Sequence, residues 1–318
     1  MRNILSFLFL LLVVFSCKES TTNEAMPQLS SPLQLARFDV DFYQTSPQTL
    51  AATKAAYPLL FPAGVSDSIW VQKINDSDEQ ELFAETQKVF PDNAFLTAAF
   101  TGLFAEVTQR NPKFKVPKVI ALLSNIDYEN RVIYADSLLL VSLDAYLGAS
   151  HPFYETYPNY IAVNNHKDHL IIDVAEVLIS KQVPKNTQRT FLGKMIYEGK
   201  KMYLLDQYVP QSSAMEKMGY SKEKYAWAVE NEVPVWMYFM EKELLYSTNT
   251  KLAPRFLNQA PFSKFYLGED TLSPGRIGVW IGWRIVQSYM AHNSVSLQEL
   301  FRIDPLELFQ QSHYKPKK

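Results

Sequence analysis

The sequence contains a single cysteine, Cys17, among its 318 residues. No disulfide can therefore form within the chain, and a thiol nucleophile beyond residue 17 is excluded. Glycine is also scarce, with 10 Gly against 18 Pro, which argues against a β-sandwich rich in glycine turns and favours helices punctuated by proline. The formal net charge is only −2, so nothing electrostatic indicates nucleic acid as a partner. Stability has to come from a core built from the 47% of residues that are hydrophobic.

Familiar catalytic motifs are missing as well. The sequence has no HExxH motif, no GxSxG elbow, no glycine-rich phosphate loop and no CxxC pair. Its long apolar run, residues 4–14, is shorter than the roughly 20 residues that a membrane-spanning helix needs. No enzyme class and no retained transmembrane helix can therefore be assigned from motifs.

The amino terminus carries the clearest signal in the sequence. Arg2 precedes the apolar run and Ser16-Cys17 follows it, a pattern typical of a secretory signal peptide that ends in a bacterial lipobox. We predict that residues 1–16 are a lipoprotein signal peptide, that Cys17 is lipidated, and that residues 17–35 form a flexible tether. Two or more acyl chains would hold the protein stably on a membrane, since each buried methylene contributes roughly 0.8 kcal/mol. An ordinary cleaved signal peptide is the alternative, because Phe15 is unusual two positions before such a cysteine.

Residues 36–318 are predicted to form one globular α+β domain that is predominantly α-helical, with a small β-sheet in the middle of the chain. Apolar residues recur at helical spacing from Phe95 to Gln109, and Asp76 is placed to cap an earlier helix. Three short aliphatic runs predict strands that are partly joined as a hairpin, over residues 119–123, 131–135 and 138–143. Further helices are predicted over residues 160–182, 187–208, 221–246, 250–258, 275–292 and 304–312.

The predicted helix at 275–292 is apolar on nearly every side, which is typical of a central helix. Gly278 and Gly282 lie four residues apart and leave one flank of this helix bare, so another helix could approach closely. Such spacing is known from membrane helices, but Arg276 and Arg284 and the short length favour a buried helix of a water-soluble core.

One constellation of polar residues suggests chemistry. His169, Asp173 and Glu176 are spaced to share one helix face, and Glu198 lies on the next predicted helix. Zinc peptidases of the HExxH type bind their metal with two residues one turn apart and a third from a following helix. Leu170 stands where the general-base glutamate would be, so nothing is placed to deprotonate a metal-bound water. We therefore predict no metal and no catalytic residue, and interpret these side chains as the solvated polar face of an amphipathic helix.

Two further clusters carry weaker signals. The aromatic segment 225–239 could line a groove for a glycan or a peptide, although aromatic residues at helical spacing are more often core. Any part of it that stays exposed would be a partner surface. The carboxylate pairs Asp39/Asp41 and Glu79/Glu81 could in principle serve glycoside hydrolysis, but helix ends explain them equally well.

Several segments, in this order and in a chain of this length, resemble the gliding motility lipoprotein GldB family of Bacteroidetes. The segments that carry the resemblance are residues 37–43 (RFDVDFY), 57–62 (YPLLFP), 144–148 (DAYLG), 195–203 (MIYEGKKMY), 220–225 (YSKEKY) and 273–286 (SPGRIGVWIGWRIV). Together with the lipoprotein signal they cover nearly the whole chain.

The resemblance implies a cell-envelope lipoprotein needed for gliding, in bacteria whose gliding apparatus is linked to a dedicated secretion system. It assigns no catalytic residue, so only the lipid-bearing cysteine, here Cys17, is carried over. The family is also distantly similar to zincin-like peptidases, which implies a zincin-like scaffold without an intact HExxH. This sequence departs from the peptidase pattern at Leu170 and Asp173, which favours a scaffold retained for binding.

Three functional hypotheses follow. The leading one is a non-catalytic, lipid-anchored envelope protein that contacts gliding or secretion machinery and uses no cofactor. The second is a divergent zincin-like metal-dependent hydrolase of envelope peptides or peptidoglycan, with His169, Asp173 and Glu198 as weak candidate ligands. The third is a glycan-binding lipoprotein. Lys18 follows the cysteine where aspartate would favour inner-membrane retention, so we expect the outer membrane, on its periplasmic or surface face.

Overall fold

The computed structural model describes residue 29 and residues 31–135 and 137–316. The predicted signal peptide and Cys17 lie outside these described residues. The described chain is α+β, about 55% helical, with a small mixed sheet of four strands. The predicted fold class, mainly helical with a small sheet, is thereby confirmed.

The sheet has the strand order β1-β2-β4-β3. Its strands are β1 (Leu35–Arg37), β2 (Lys118–Leu122), β3 (Val132–Ala135) and β4 (Leu138–Ser142). The pair β3–β4 is the predicted antiparallel hairpin, whereas β2 pairs with β4 in parallel. Strand β1 was not predicted. It begins at the last residue of the predicted tether and pairs in parallel with β2, with Leu35 opposite Val119.

Alternate residues of the sheet face two separate apolar clusters, because side chains on a strand point to opposite faces in turn. Val119 and Val141 belong to the main core, which is built by the helix at residues 94–110 together with helices of the second half of the chain. Ile120 faces the other way into a smaller cluster around Phe42 and Phe61. The small sheet is therefore covered on both faces, which explains the near-continuous apolar character of β2 and β4.

The helices follow the predicted pattern with shifted boundaries. They are α1 (Phe38–Tyr43), α2 (Leu50–Ala56), α3 (Asp67–Ile74), α4 (Ser77–Val89), α5 (Ala94–Arg110), α6 (Asn159–Ala162), α7 (Leu170–Gln182), α8 (Phe191–Tyr208), α9 (Ala214–Met218), α10 (Lys222–Glu230), α11 (Glu232–Glu241), α12 (Leu252–Phe256), α13 (Ile277–His292), α14 (Leu297–Leu300) and α15 (Pro305–Gln311). Asp76 caps α4 as predicted, accepting hydrogen bonds from the backbone N–H groups of Asp78 and Glu79.

Two predicted helices are each divided into shorter pieces. The predicted helix 160–182 consists of α6, a short 3-10 turn at Lys167–His169, and α7. The predicted helix 221–246 is divided into α10 and α11, because Pro234 is tolerated only in the first turn of a helix. Among the described residues, no helix combines the length and the apolar character needed to cross a membrane.

The close approach predicted for the glycine-bearing helix is confirmed at the crossing of α8 and α13. A Cβ atom added to Gly282 would lie 1.9 Å from the carbonyl oxygen of Met195 on α8. A Cβ atom added to Gly199 would lie 2.2 Å from the carbonyl oxygen of Gly282. The two backbones are therefore in direct contact, and α13 is buried along most of its length. This crossing is the centre of the main core and fixes the position of α8.

Candidate functional site

His169 and Asp173 lie in the protein interior. His169 ends the 3-10 turn before α7, and Asp173 lies one turn further on, with 4% and 9% of each residue exposed. The Nε2 atom of His169 is 3.5 Å from Oδ1 of Asp173. The interpretation of this face as solvated is therefore wrong for these two residues, and only Glu176 has a substantially exposed side chain.

Arg131 explains why a carboxylate can be buried here. Its Nη2 atom donates to Oδ1 of Asp173 at 2.8 Å, and Tyr146 Oη donates to Oδ2 at 2.8 Å. The guanidinium also lies over the ring of Tyr146, 5.5 Å from its centroid, and donates to Asn165. Arg131 comes from the start of the β3–β4 hairpin, so this ion pair joins the sheet to α7. Buried charges are tolerated in proteins when they are paired and hydrogen-bonded in this way.

The environment changes the titration of both α7 residues. Burial lowers the pKa of His169 to about 3, and the nearby Arg131 acts in the same direction. Burial raises the pKa of Asp173, while Arg131 and the Tyr146 hydroxyl oppose that shift. His169 is therefore a neutral imidazole at physiological pH, packed against a carboxylate that Arg131 and Tyr146 already hold.

Glu198 lies in a different place, on α8. Its carboxylate accepts a hydrogen bond from Lys201 at 2.9 Å and lines a small cleft together with Glu176 and Arg276. The ion pair of Arg276 with Glu176, at 3.8 Å, bounds the same cleft. The structure thus brings Glu198 to Glu176. Glu176 makes no hydrogen bond with Arg131, but its charge lies near enough to help raise the pKa of that residue. Among the described residues no three His, Cys, Asp or Glu side chains are grouped so as to hold a metal ion.

A second buried carboxylate, Asp144, had no signal in the sequence beyond its place in one of the resemblance segments. It follows β4 and accepts hydrogen bonds from the backbone N–H groups of Ser124 and Ile126, at 3.0 Å and 2.7 Å to Oδ2. Asn125 and Ile126 both have positive φ, a conformation that non-glycine residues rarely adopt. Asp144 therefore holds the strained turn after β2 at the carboxyl edge of the sheet.

Burial raises the pKa of Asp144 to about 6, although its backbone hydrogen bonds act in the opposite direction. In the unfolded chain the ordinary value is about 3.9. The folded protein therefore binds this proton more tightly, and the resulting stability is complete below about pH 4 and lost as pH rises through about 6. We expect Asp144→Asn to flatten the fall in unfolding free energy between pH 4.5 and 7 by about 2 kcal/mol.

Urea unfolding at several pH values measures this effect. Glu155→Gln, at an exposed side chain, is the matched control and should keep the wild-type pH profile. Identical profiles for wild type and Asp144→Asn would contradict the assignment.

The aromatic segment 225–239 is divided between core and surface. Phe239 and Trp236 are buried, as is usual for aromatics at helical spacing. Trp227 and Tyr238 are half-buried and line an open groove of about 470 Å³ with Met237, which is 47% exposed. Part of the aromatic segment is therefore exposed, on one side of α10 and α11.

A larger apolar groove runs along α5. It has a volume of about 1260 Å³. Its walls are the small residues of α5 near Ala98, the segment 208–212, and the residues Leu29 and Ser31 to Leu33. Leu29, the first residue that the structure describes, thus lies at the edge of this groove.

Comparison with known proteins adds the family. Residues 19–316 match the model of the family described as gliding motility protein GldB. No curated protein and no solved structure matches the chain. The match covers nearly all of the chain, including both carboxylate networks and the aromatic groove. The chain therefore belongs to the gliding motility protein GldB family.

Proposed function

We propose that this protein is a lipid-anchored lipoprotein of the cell envelope that serves the gliding machinery through protein contacts and not through catalysis. The observation that carries the proposal is the family match over residues 19–316. Residues 1–16 act as the signal peptide, residues 17–35 as the tether, and residues 36–318 as one globular unit. The proposal is supported by the exposed side chains of Met237 on α11 and Leu267 in the loop before α13, which line one groove, since exposed apolar patches are typical of interaction sites.

The anchor is supported by the spacing between Cys17 and the fold. Eleven residues lie between Cys17 and Leu29, which is at the edge of the α5 groove. An extended segment of this length reaches about 40 Å. Such a tether lets acyl chains on Cys17 enter a bilayer while the folded domain contacts proteins beside it.

Cys17→Ala tests the anchor. We expect the variant to move from the membrane fraction to the soluble fraction of the envelope, because no acyl chain remains to hold it. Cell fractionation, metabolic labelling with palmitate and spreading of colonies on agar measure the outcome, with Ser16→Ala as a neighbouring control. Membrane retention and undiminished labelling of the Cys17→Ala variant would contradict the proposal.

The outer membrane is the proposed location. Lys18 follows Cys17, so the aspartate that favours inner-membrane retention is absent from that position. Proteins of the gliding or secretion machinery are the proposed partners.

The alternative of a divergent zincin-like hydrolase finds no support in the side-chain contacts. It would need His169, Asp173 and Glu198 to bind one metal ion. Asp173 is instead held by Arg131 and Tyr146, and Glu198 lies in a separate cleft with Glu176. These three residues are therefore not arranged to bind a single zinc ion. Stoichiometric zinc in purified protein, lost in His169→Ala, would favour the alternative.

A further inference from the structure

We infer that the groove beside α10 and α11 binds a basic, aliphatic peptide segment of a partner protein. This inference rests on the proposed contact function and specifies the chemistry of the partner. The groove is formed by Trp227, Met237, Tyr238, Phe265 and Leu267, together with the carboxylates Glu241, Glu269 and Asp270 at its rim.

The apolar wall is held in place before any partner arrives. Phe265 contacts the ring of Tyr238 edge-on at 5.0 Å, and its carbonyl oxygen accepts a hydrogen bond from Tyr238 Oη at 2.8 Å. Asp270 accepts hydrogen bonds from the backbone N–H groups of Tyr266 and Leu267. The loop therefore presents Leu267 with 62% of the residue exposed. A preorganised wall of this kind lowers the entropy cost of binding.

Lys224 fixes the same loop from the other side. Its ammonium group donates to the backbone carbonyl oxygens of Thr271 and Ser273, at 2.6 Å and 2.8 Å. The loop is thus tied to α10 at its far end and to α11 through Tyr238. Leu267 and Leu272 are therefore exposed on a loop that hydrogen bonds hold in place.

The charged residues at the rim indicate the charge of the partner segment. All three charged residues that line the groove are acidic. Within the described residues, the side-chain carboxylates of Glu241 and Glu269 have no hydrogen-bond or ion-pair partner. Two cations beside the wall are already engaged. Arg255 stacks on Tyr266 at 4.5 Å and donates to Tyr238 Oη and to the backbone oxygen of Lys264, and Lys224 donates to backbone oxygens of the loop. Electrostatic complementarity therefore favours lysine or arginine side chains in the occupant.

The shape of the wall favours a peptide over a glycan. Sugar recognition needs an open aromatic face, whereas Phe265 contacts the ring of Tyr238 edge-on and accepts the hydrogen bond of its hydroxyl. Met237, Pro234 and Leu267 supply adaptable aliphatic surface instead. The groove volume of about 470 Å³ fits two or three side chains of an extended or helical segment.

The test uses the full-length chain purified in detergent and three synthetic dye-labelled peptides of equal length. One peptide combines leucine and lysine, the second replaces every lysine by glutamate, and the third replaces every leucine by serine. Fluorescence anisotropy measures binding, and Trp227 emission, compared with Trp227→Phe, reports contact with the groove. We expect the leucine–lysine peptide to bind at least tenfold more tightly than the other two, with a strong dependence on salt.

Two sets of variants make the assignment specific. Leu267→Asp should weaken binding of the leucine–lysine peptide at least tenfold, whereas Ile69→Asp, at an exposed apolar residue of α3, should not change it. Glu241→Lys combined with Glu269→Lys should exchange the preference, so that the leucine–glutamate peptide binds better. Glu243→Lys, outside the groove lining, is the matched charge control.

Equal binding of the lysine and glutamate peptides, or no exchange of preference in the double lysine variant, would overturn the inference. Binding of a tetramer of N-acetylglucosamine that Leu267→Asp abolishes would assign the groove to glycans instead. These outcomes leave the membrane anchor untouched, since it is tested by fractionation of Cys17→Ala. Failure of the peptide assignment is therefore distinguishable from failure of the proposed function.

Discussion

Gly282→Ala is expected to lower the free energy of unfolding by about 3 kcal/mol or more, since the added Cβ makes the shortest contact of any glycine in the chain. The new Cβ atom would lie 1.9 Å from the carbonyl oxygen of Met195. This neighbour is backbone of α8 and cannot rotate away, so α8 and α13 have to separate. The separation would disturb the main core, to which both helices contribute buried side chains.

Gly102→Ala is the matched control for this prediction. Gly102 also lies inside a helix, but a Cβ atom added there meets nothing within 4 Å. Alanine has the higher helix propensity, so this variant should gain about 0.5–1 kcal/mol. Urea or thermal unfolding of the two variants beside wild type gives the comparison. Equal stability of Gly282→Ala and wild type would mean that the helices do not cross as described.

Arg131→Met should cost about 3–5 kcal/mol of stability, because it removes the cation that compensates the buried charge of Asp173. The pair has side-chain exposures of only 15% and 11%, so water cannot replace the guanidinium without opening the structure. Tyr146 would be left as a hydrogen-bond donor to Asp173. The expected consequence is loosening of α7 from the β3–β4 hairpin.

Two further variants separate a charge effect from lost packing. Arg131→Met combined with Asp173→Leu should recover part of the loss, since replacing both partners removes the uncompensated charge. Lys54→Met breaks an exposed ion pair with Asp67 and should change stability by less than about 1 kcal/mol. Unfolding in urea measures all three, and hydrogen exchange at α7 locates the change. A double variant less stable than Arg131→Met alone would refute this account.

Much of the fold could be predicted from local pattern. The 17 residues of α5, the Asp76 cap and the β3–β4 hairpin follow from hydrophobic spacing and capping chemistry within short windows. The close helix approach followed from the spacing of Gly278 and Gly282. Strand β1 could not be predicted, since three residues carry no periodicity and their partner β2 lies some eighty residues away in sequence.

The candidate site was less predictable, and the reason is burial. The spacing of His169 and Asp173 correctly predicts that they share a face. The sequence around them, however, does not indicate that this face is buried. That depends on Arg131, a single cation in a different element whose role appears only when the hairpin packs on α7. Likewise the segment 225–239 could not be divided into core and surface until the packing of α10 and α11 was known.

The position of β1 has a mechanical consequence. A pulling force applied ahead of Leu29 reaches β1 before any other helix or strand that the structure describes. Because β1 lies alongside β2 in parallel register, such a load acts along the strand and has to shear several backbone hydrogen bonds together. At the carboxyl end of the strand, Arg37 donates two hydrogen bonds to Asp39 and others to the backbone oxygens of Phe90 and Asp92. The strand that bears tension first is thus hydrogen-bonded to the connection between α4 and α5.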